Sequence, residues 1–135
     1  MATMTDATVS IPSAGLRLAG TLGIPRDIGR DERRGAFLVL HGFGSSRNSS
    51  NVLAPSRILN GLGYVTLAFD MRGCGDSEGE HGRVICLEQV EDTRNALTFL
   101  AQHPSVDAQR IALIGSSFGG AVAVYTAGVD ERVAE

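Results

Sequence analysis

In Gly115-Ser116-Ser117-Phe118-Gly119 a serine stands between glycines two positions before and two positions after it. The pentapeptide falls between the apolar run 111–114 and the Ala- and Val-rich stretch 121–127. A hydroxyl on so tight a strand-to-helix bend projects from the backbone, and the flanking glycines relieve the crowding the bend creates. The chemistry open to such a serine is acyl transfer, with Oγ attacking a carbonyl carbon. Ser116 cannot take the part, because Ile114 and Phe118 would then occupy the glycine positions. Ser117 is the candidate nucleophile, weighed against an ordinary structural turn.

Acyl transfer also needs donors for the oxyanion, and backbone N–H groups serve without any particular side chain. The Phe118 amide, at the start of the expected helix, is one candidate. The second is the Phe43 amide in His41-Gly42-Phe43-Gly44, which follows an apolar run at 36–40 and is made pliable by Gly42 and Gly44. A plain glycine turn is the competing account. Gly115 and Gly119 on one side, and His41, Gly42 and Gly44 on the other, form the supporting loops. A base is harder to find. His41 would have to orient its own loop and also reach Ser117 Oγ. His81 lies in a Gly-rich polar loop, and His103, before Pro104, suits a helix C-terminus. Asp70 and Asp76 read as acceptors for loop backbone rather than as catalytic acids, since no histidine is placed for them to orient.

The elements that must position these residues are legible from pattern. Residues 7–12 and 16–25 alternate in polarity about the turn cluster Ser13-Ala14-Gly15, which predicts an antiparallel hairpin. Continuous apolar runs at 36–40, 64–70 and 110–115 predict strands covered on both faces. Helices are expected over 51–60, where Pro55 blurs the start, over 84–103, with Cys86, Val90, Leu97 and Leu100 at helical spacing, and from Phe118 to about 128. Strands alternating with helices imply a parallel sheet with right-handed crossovers, hence an α/β architecture. One domain over 1–135 is the expectation.

Composition narrows the function. The chain has 135 residues and a net charge of -3, and all twelve of its basic residues are arginines without clustering, which argues against a nucleic-acid partner. No apolar run approaches the roughly 18 residues of a membrane span. Cys74 and Cys86 have neither C-x-x-C nor metal-site spacing, so two reduced thiols and no metal are expected. The N-terminal residues lack the pattern of a secretory signal, and a cytoplasmic location follows by default. The segment 42–47 lacks the third glycine of a dinucleotide fingerprint, and 115–120 lacks the lysine of a P-loop.

Taken together, "HGFGSSRN", "AFDMRGCGDSEG" and "EDTRNALTFLAQHPSVDAQRIALIGSSFGG" resemble the α/β-hydrolase family. The branch they look like is that of small-ester hydrolases, with cinnamoyl and feruloyl esterases and dienelactone-hydrolase-like proteins. The resemblance implies a mostly parallel sheet in strand order 1-2-4-3-5-6-7-8, its first hairpin antiparallel. It implies a Ser117 nucleophile, an oxyanion hole from Phe43 and Phe118, a structural His41, no cofactor and a small ester substrate. It also places the acid after a seventh strand and the histidine after an eighth, and the 135 residues carry strands 1 to 5 only, lacking strands 6 to 8. Two functions are therefore expected: a serine carboxylic-ester hydrolase, feeble alone or needing a complementing chain, or a non-catalytic oligomerising or binding module on the same scaffold. In either case the outer edge of the strand at 110–114 is expected to pair with a second copy or a complementing chain.

Overall fold

A computed structural model describes residues 4–134; the ends of the expected 1–135 domain, residues 1–3 and Glu135, lie outside the described residues. The alternating segments at the start form β1 (Met4–Ser13) and β2 (Leu16–Pro25), antiparallel with Met4 opposite Pro25 and Ser13 opposite Leu16. Ala14 and Gly15, at φ 50° and 79°, make a two-residue left-handed turn whose twist matches that of the strands it joins. Ile11, Leu18 and Leu22 point from this hairpin into the core.

The chain then runs β3 (Arg34–Leu40), α1 (Ser50–Gly61), β4 (Val65–Phe69), α2 (Cys86–Ala101), β5 (Val106–Gly115) and α3 (Phe118–Val129). The five strands form one sheet in the order β1-β2-β4-β3-β5, the order expected for strands 1 to 5. β3 is parallel to both neighbours, and β2 is antiparallel to β4. Every residue of β4 is buried, as its unbroken apolar run requires of a strand covered on both faces. Leu38, Leu40, Leu67, Phe69, Leu97, Leu100 and Ile111 make up much of the core. Each such side chain contributes about 1.5–3 kcal/mol on burial.

Three features differ from the pattern reading. Pro55 lies inside α1 rather than at its start; the carbonyl it deprives of a donor belongs to the exposed Asn51. β5 begins at Val106, because a register shift against β3, between Arg34 and Ala36, lets residues 107–110, polar except for Ala108, stay in the strand. The buried face of α2 is also wetter than its apolar spacing suggests: Gln89, Asp92 and Thr93 are buried along with Val90, Leu97 and Leu100. β5 is the outer strand, and among the described residues its free edge is met only by Val133, in a parallel bridge to Ile111, with the Ala134 N–H donating to Ile111 O at 2.7 Å.

Candidate active site

At the carboxyl end of β5 the backbone reverses into α3 through Ser117, whose φ of 57° and ψ of -120° are strained for any residue with a Cβ. Ser117 is exposed at the tip of this bend, and among the described residues its Oγ has no hydrogen-bond partner. The glycines about it are required by contact. A Cβ on Gly115 would lie 2.3 Å from Gly119 O, and one on Gly119 would lie 2.5 Å from His41 O and 2.7 Å from Leu40 O. The bend is thus packed backbone to backbone against the end of β3. Gly42 follows there, and a Cβ on it would stand 3.9 Å from the Ser117 Cβ. The Phe43 and Phe118 rings meet edge to face at 5.7 Å between centroids, with Phe43 68% exposed.

Among the described residues neither the Phe43 N–H nor the Phe118 N–H has an acceptor. The orientation of the first is fixed by the residue before it. The buried His41 accepts the Met71 N–H on Nε2 at 3.0 Å, so its proton sits on Nδ1 and is donated to Gly42 O at 2.7 Å. Gly42 O also accepts the Ser45 N–H at 3.1 Å. With that carbonyl held twice, the trans peptide plane turns the Phe43 N–H to the opposite side. Gly44, at φ 63°, continues the loop in a left-handed conformation. Both ring nitrogens of His41 are committed to backbone, which leaves it neither lone pair nor proton for Ser117.

Two buried carboxylates hold the surroundings. Asp70, at the end of β4, accepts the Arg47 N–H on Oδ1 at 2.6 Å; its Oδ2 takes the Arg47 guanidinium and, at 2.9 Å, the Asp76 N–H. Asp70 thus binds loop backbone as expected. Asp76 contributes an N–H, while its exposed carboxylate meets Arg47 Nη1 at 3.2 Å. Asp92 of α2 accepts the Ser13 hydroxyl at 2.7 Å, the Arg72 N–H at 2.9 Å and the Arg72 guanidinium. The Asp92 carboxylate beside it pushes the Arg72 pKa further up. Arg47 and Asp92 were not reached by sequence reasoning. The available signal for Arg47 is that it is the one Asp, Glu, Lys or Arg between Gly35 and Ser56.

The remaining candidates lie elsewhere. His81 is exposed in the Gly-rich loop. His103 is no imidazolium at a helix dipole: its Nδ1 accepts the Ser105 N–H at 3.1 Å, which needs a neutral ring, and burial pushes its pKa down. Cys74 and Cys86 are free thiols, and burial, then the charges of Asp70 and Asp92, pushes the Cys74 thiol up, away from nucleophilic use. Among the described residues no three His, Cys, Asp or Glu side chains assemble into a metal site, and no helix is long and apolar enough to cross a membrane.

The family model described as serine aminopeptidase, S33 (Hydrolase_4) matches residues 31–134. A thiohydrolase, aneE of Aspergillus aculeatus, is 36% identical over 123 residues, covering 88% of this chain and 36% of its own length. Among solved structures, the hypothetical protein PA2218 of Pseudomonas aeruginosa superposes with a TM-score of 0.90 at 31% identity, over 98% of this chain and 41% of that one. Est1E of Butyrivibrio proteoclasticus, solved with ferulic acid bound, does so with a TM-score of 0.85 over 93% and 49%; at 22% identity it speaks for the fold alone. The chain spans about a third of the length of the curated relatives it matches. With its S33 match over residues 31–134 and a TM-score of 0.85 at 28% identity to the α/β hydrolase GrgF of Penicillium sp. sh18, over 96% of this chain and 43% of that one, the chain belongs to the serine aminopeptidase S33 family of α/β-hydrolases.

Proposed function

We propose that this chain carries the nucleophile and the oxyanion hole of a serine hydrolase acting on carboxylic esters, with Ser117 as nucleophile and the Phe43 and Phe118 amides as donors. The observation that carries the reading is a strained, exposed Ser117 on a bend packed against the end of β3, with the Phe118 N–H next to it and the Phe43 N–H in the loop leaving β3 both without acceptors among the described residues. In the reaction Ser117 Oγ gives up its proton and bonds to the acyl carbon, the carbonyl oxygen takes negative charge facing the two amides, the ester C–O bond breaks and the alcohol leaves with that proton, and water then attacks the acyl-serine to release the acid and restore the hydroxyl. The relative named a thiohydrolase favours an acyl group held as a thioester as well as an oxygen ester. No metal or cofactor enters this scheme.

The base is the open position. Of the three histidines, His41 is committed to backbone, His103 bonds its own turn and His81 lies exposed in the Gly-rich loop. Oxyanion stabilisation and binding alone leave residual catalysis of ~10³–10⁴ over water. The 135-residue chain is accordingly expected to turn over 4-nitrophenyl acetate feebly, and Ser117→Ala to lower that turnover without lowering the melting temperature. Equal rates in the two proteins would remove Ser117 from the account.

A second reading, a non-catalytic oligomerising or binding module, is favoured by the edge of β5, where one bridge to Val133 is the sole pairing among the described residues. An apolar strand with an open edge is a template for another strand, from a second copy or from a complementing polypeptide. A fluorophosphonate probe separates the readings: stoichiometric labelling at Ser117 supports the hydrolase, and none supports the module.

A further inference from the structure

We propose that the buried Asp70–Arg47 pair is a positioning device for the Phe43 amide, fixing the far end of the loop that presents it. This rests on the reading of Phe43 as an oxyanion donor. The loop leaving β3 is tethered at two points, and both tethers end on consecutive residues at the exit of β4. At the near end the Met71 N–H holds the His41 ring; at the far end Asp70 Oδ1 holds the Arg47 N–H. Residues 42–46 are strung between these posts, with Phe43 in the span.

The far post is built with more than one bond. Asp70 is fully buried, and the Arg47 side chain is 9% exposed. The Arg47 guanidinium lies on Asp70 Oδ2, while its Nε donates to Thr21 Oγ1 at 3.1 Å, so the side chain is also fixed to β2. The Gly-rich loop closes from the other side through the Asp76 N–H, and Gly75 packs so tightly that a Cβ there would come within 2.4 Å of the carboxylate. A buried ion pair is a poor source of net stability compared with apolar packing, because both charges are desolvated. What this pair adds is a defined place for Arg47, and through the loop, for Phe43.

Asp70→Asn tests the point with almost no change in volume, since an amide must turn one NH2 toward a group that itself donates. The Ser45 N–H is the reporter, because its acceptor, Gly42 O, is untouched by the substitution. In Asp70→Asn, hydrogen exchange at Ser45 is expected to rise ~10-fold or more, while amides of β3 and β4 stay within about twofold. The kcat for 4-nitrophenyl acetate is expected to fall ~10²-fold with KM within about twofold, the mark of a group needed in the transition state. Arg47→Lys, which keeps the charge and the backbone N–H, is expected to show the same changes in smaller measure and serves should Asp70→Asn fail to fold. Leu97→Ala, in the core of α2, provides a destabilised control with unchanged loop exchange. Uniform acceleration of exchange across the sheet, or a Ser45 amide as protected as before, would overturn the proposal. Turnover undiminished by Ser117→Ala would sink the nucleophile reading instead, and the exchange measurement would still decide what the pair does.

Discussion

Ser117 is the residue at which stability and chemistry part. Its dihedral angles belong to a region that glycine enters freely and other residues enter at ~1–3 kcal/mol. Ser117→Gly is therefore expected to stabilise the fold by about 1 kcal/mol, once the added freedom of the unfolded glycine is offset. Ser117→Ala, which keeps the Cβ, is expected to leave stability unchanged. Thermal melts of the two variants check this; a Ser117→Gly protein melting no higher than Ser117→Ala would mean that the bend carries no strain. The motif was legible at this scale because glycine spacing reports backbone geometry directly, and Gly115 and Gly119 meet carbonyls just where the spacing requires. The ion-paired residues were not. A buried Asp70 or Asp92 depends on a partner 23 or 20 positions away, Arg47 or Arg72, and periodicity carries no record of such pairs.

At the scale of elements, β1 and β2 could be read from alternation and β3, β4 and the second half of β5 from apolar runs, but the helices are joined by polar contacts that no pattern announces. α2 and the exit of α3 are linked through Asp130, which receives the Arg132 and Arg94 side chains, while Arg132 also reaches Thr98 and Arg94 O on α2. The Arg132 guanidinium, then its N–H and Arg94, hold the Asp130 carboxyl well below the usual carboxylate range against the opposing effect of burial. A carboxylate whose folded pKa is depressed stabilises the fold above its unfolded value, near 4, and loses that contribution as pH falls further. Urea midpoints are expected to decline gently below about pH 6.5, where the unfolded chain protonates the His103 ring that burial keeps neutral, and to drop more steeply below about pH 4 as the Asp130 contribution is lost. Asp130→Asn should lower the neutral plateau by on the order of 1–3 kcal/mol and flatten the acid limb. Parallel acid limbs in the two proteins would show that Asp130 has no part in the drop. The α3 helix itself was legible, since its run of Ala and Val between glycines leaves little alternative to packing on the sheet.

For the whole molecule the decisive feature is the asymmetry of the sheet. One border is the long β1–β2 hairpin with polar residues outward; the other is β5, where Ile114 is exposed, and Val124, Tyr125 and Val129 are exposed on α3, the helix that follows it. If that border recruits a strand, light scattering after size exclusion should give a mass above the 14.2 kDa of one chain, rising with concentration. A single 14.2 kDa species at all concentrations would dispose of self-pairing. The strand order was legible through family resemblance rather than through strand pattern, which gives the number of strands but not their neighbours.

Because both proposed oxyanion donors are main-chain groups, the side chains at 43 and 118 are free to vary without removing either. The two rings meet edge to face, one of them on the residue that follows Ser117, so on the proposed reading libraries randomised at these two positions would reshape the wall beside the nucleophile while both amides keep their posts. If the proposed roles hold, laboratory evolution gains a two-residue handle on selectivity that is physically separate from the proposed nucleophile and donors.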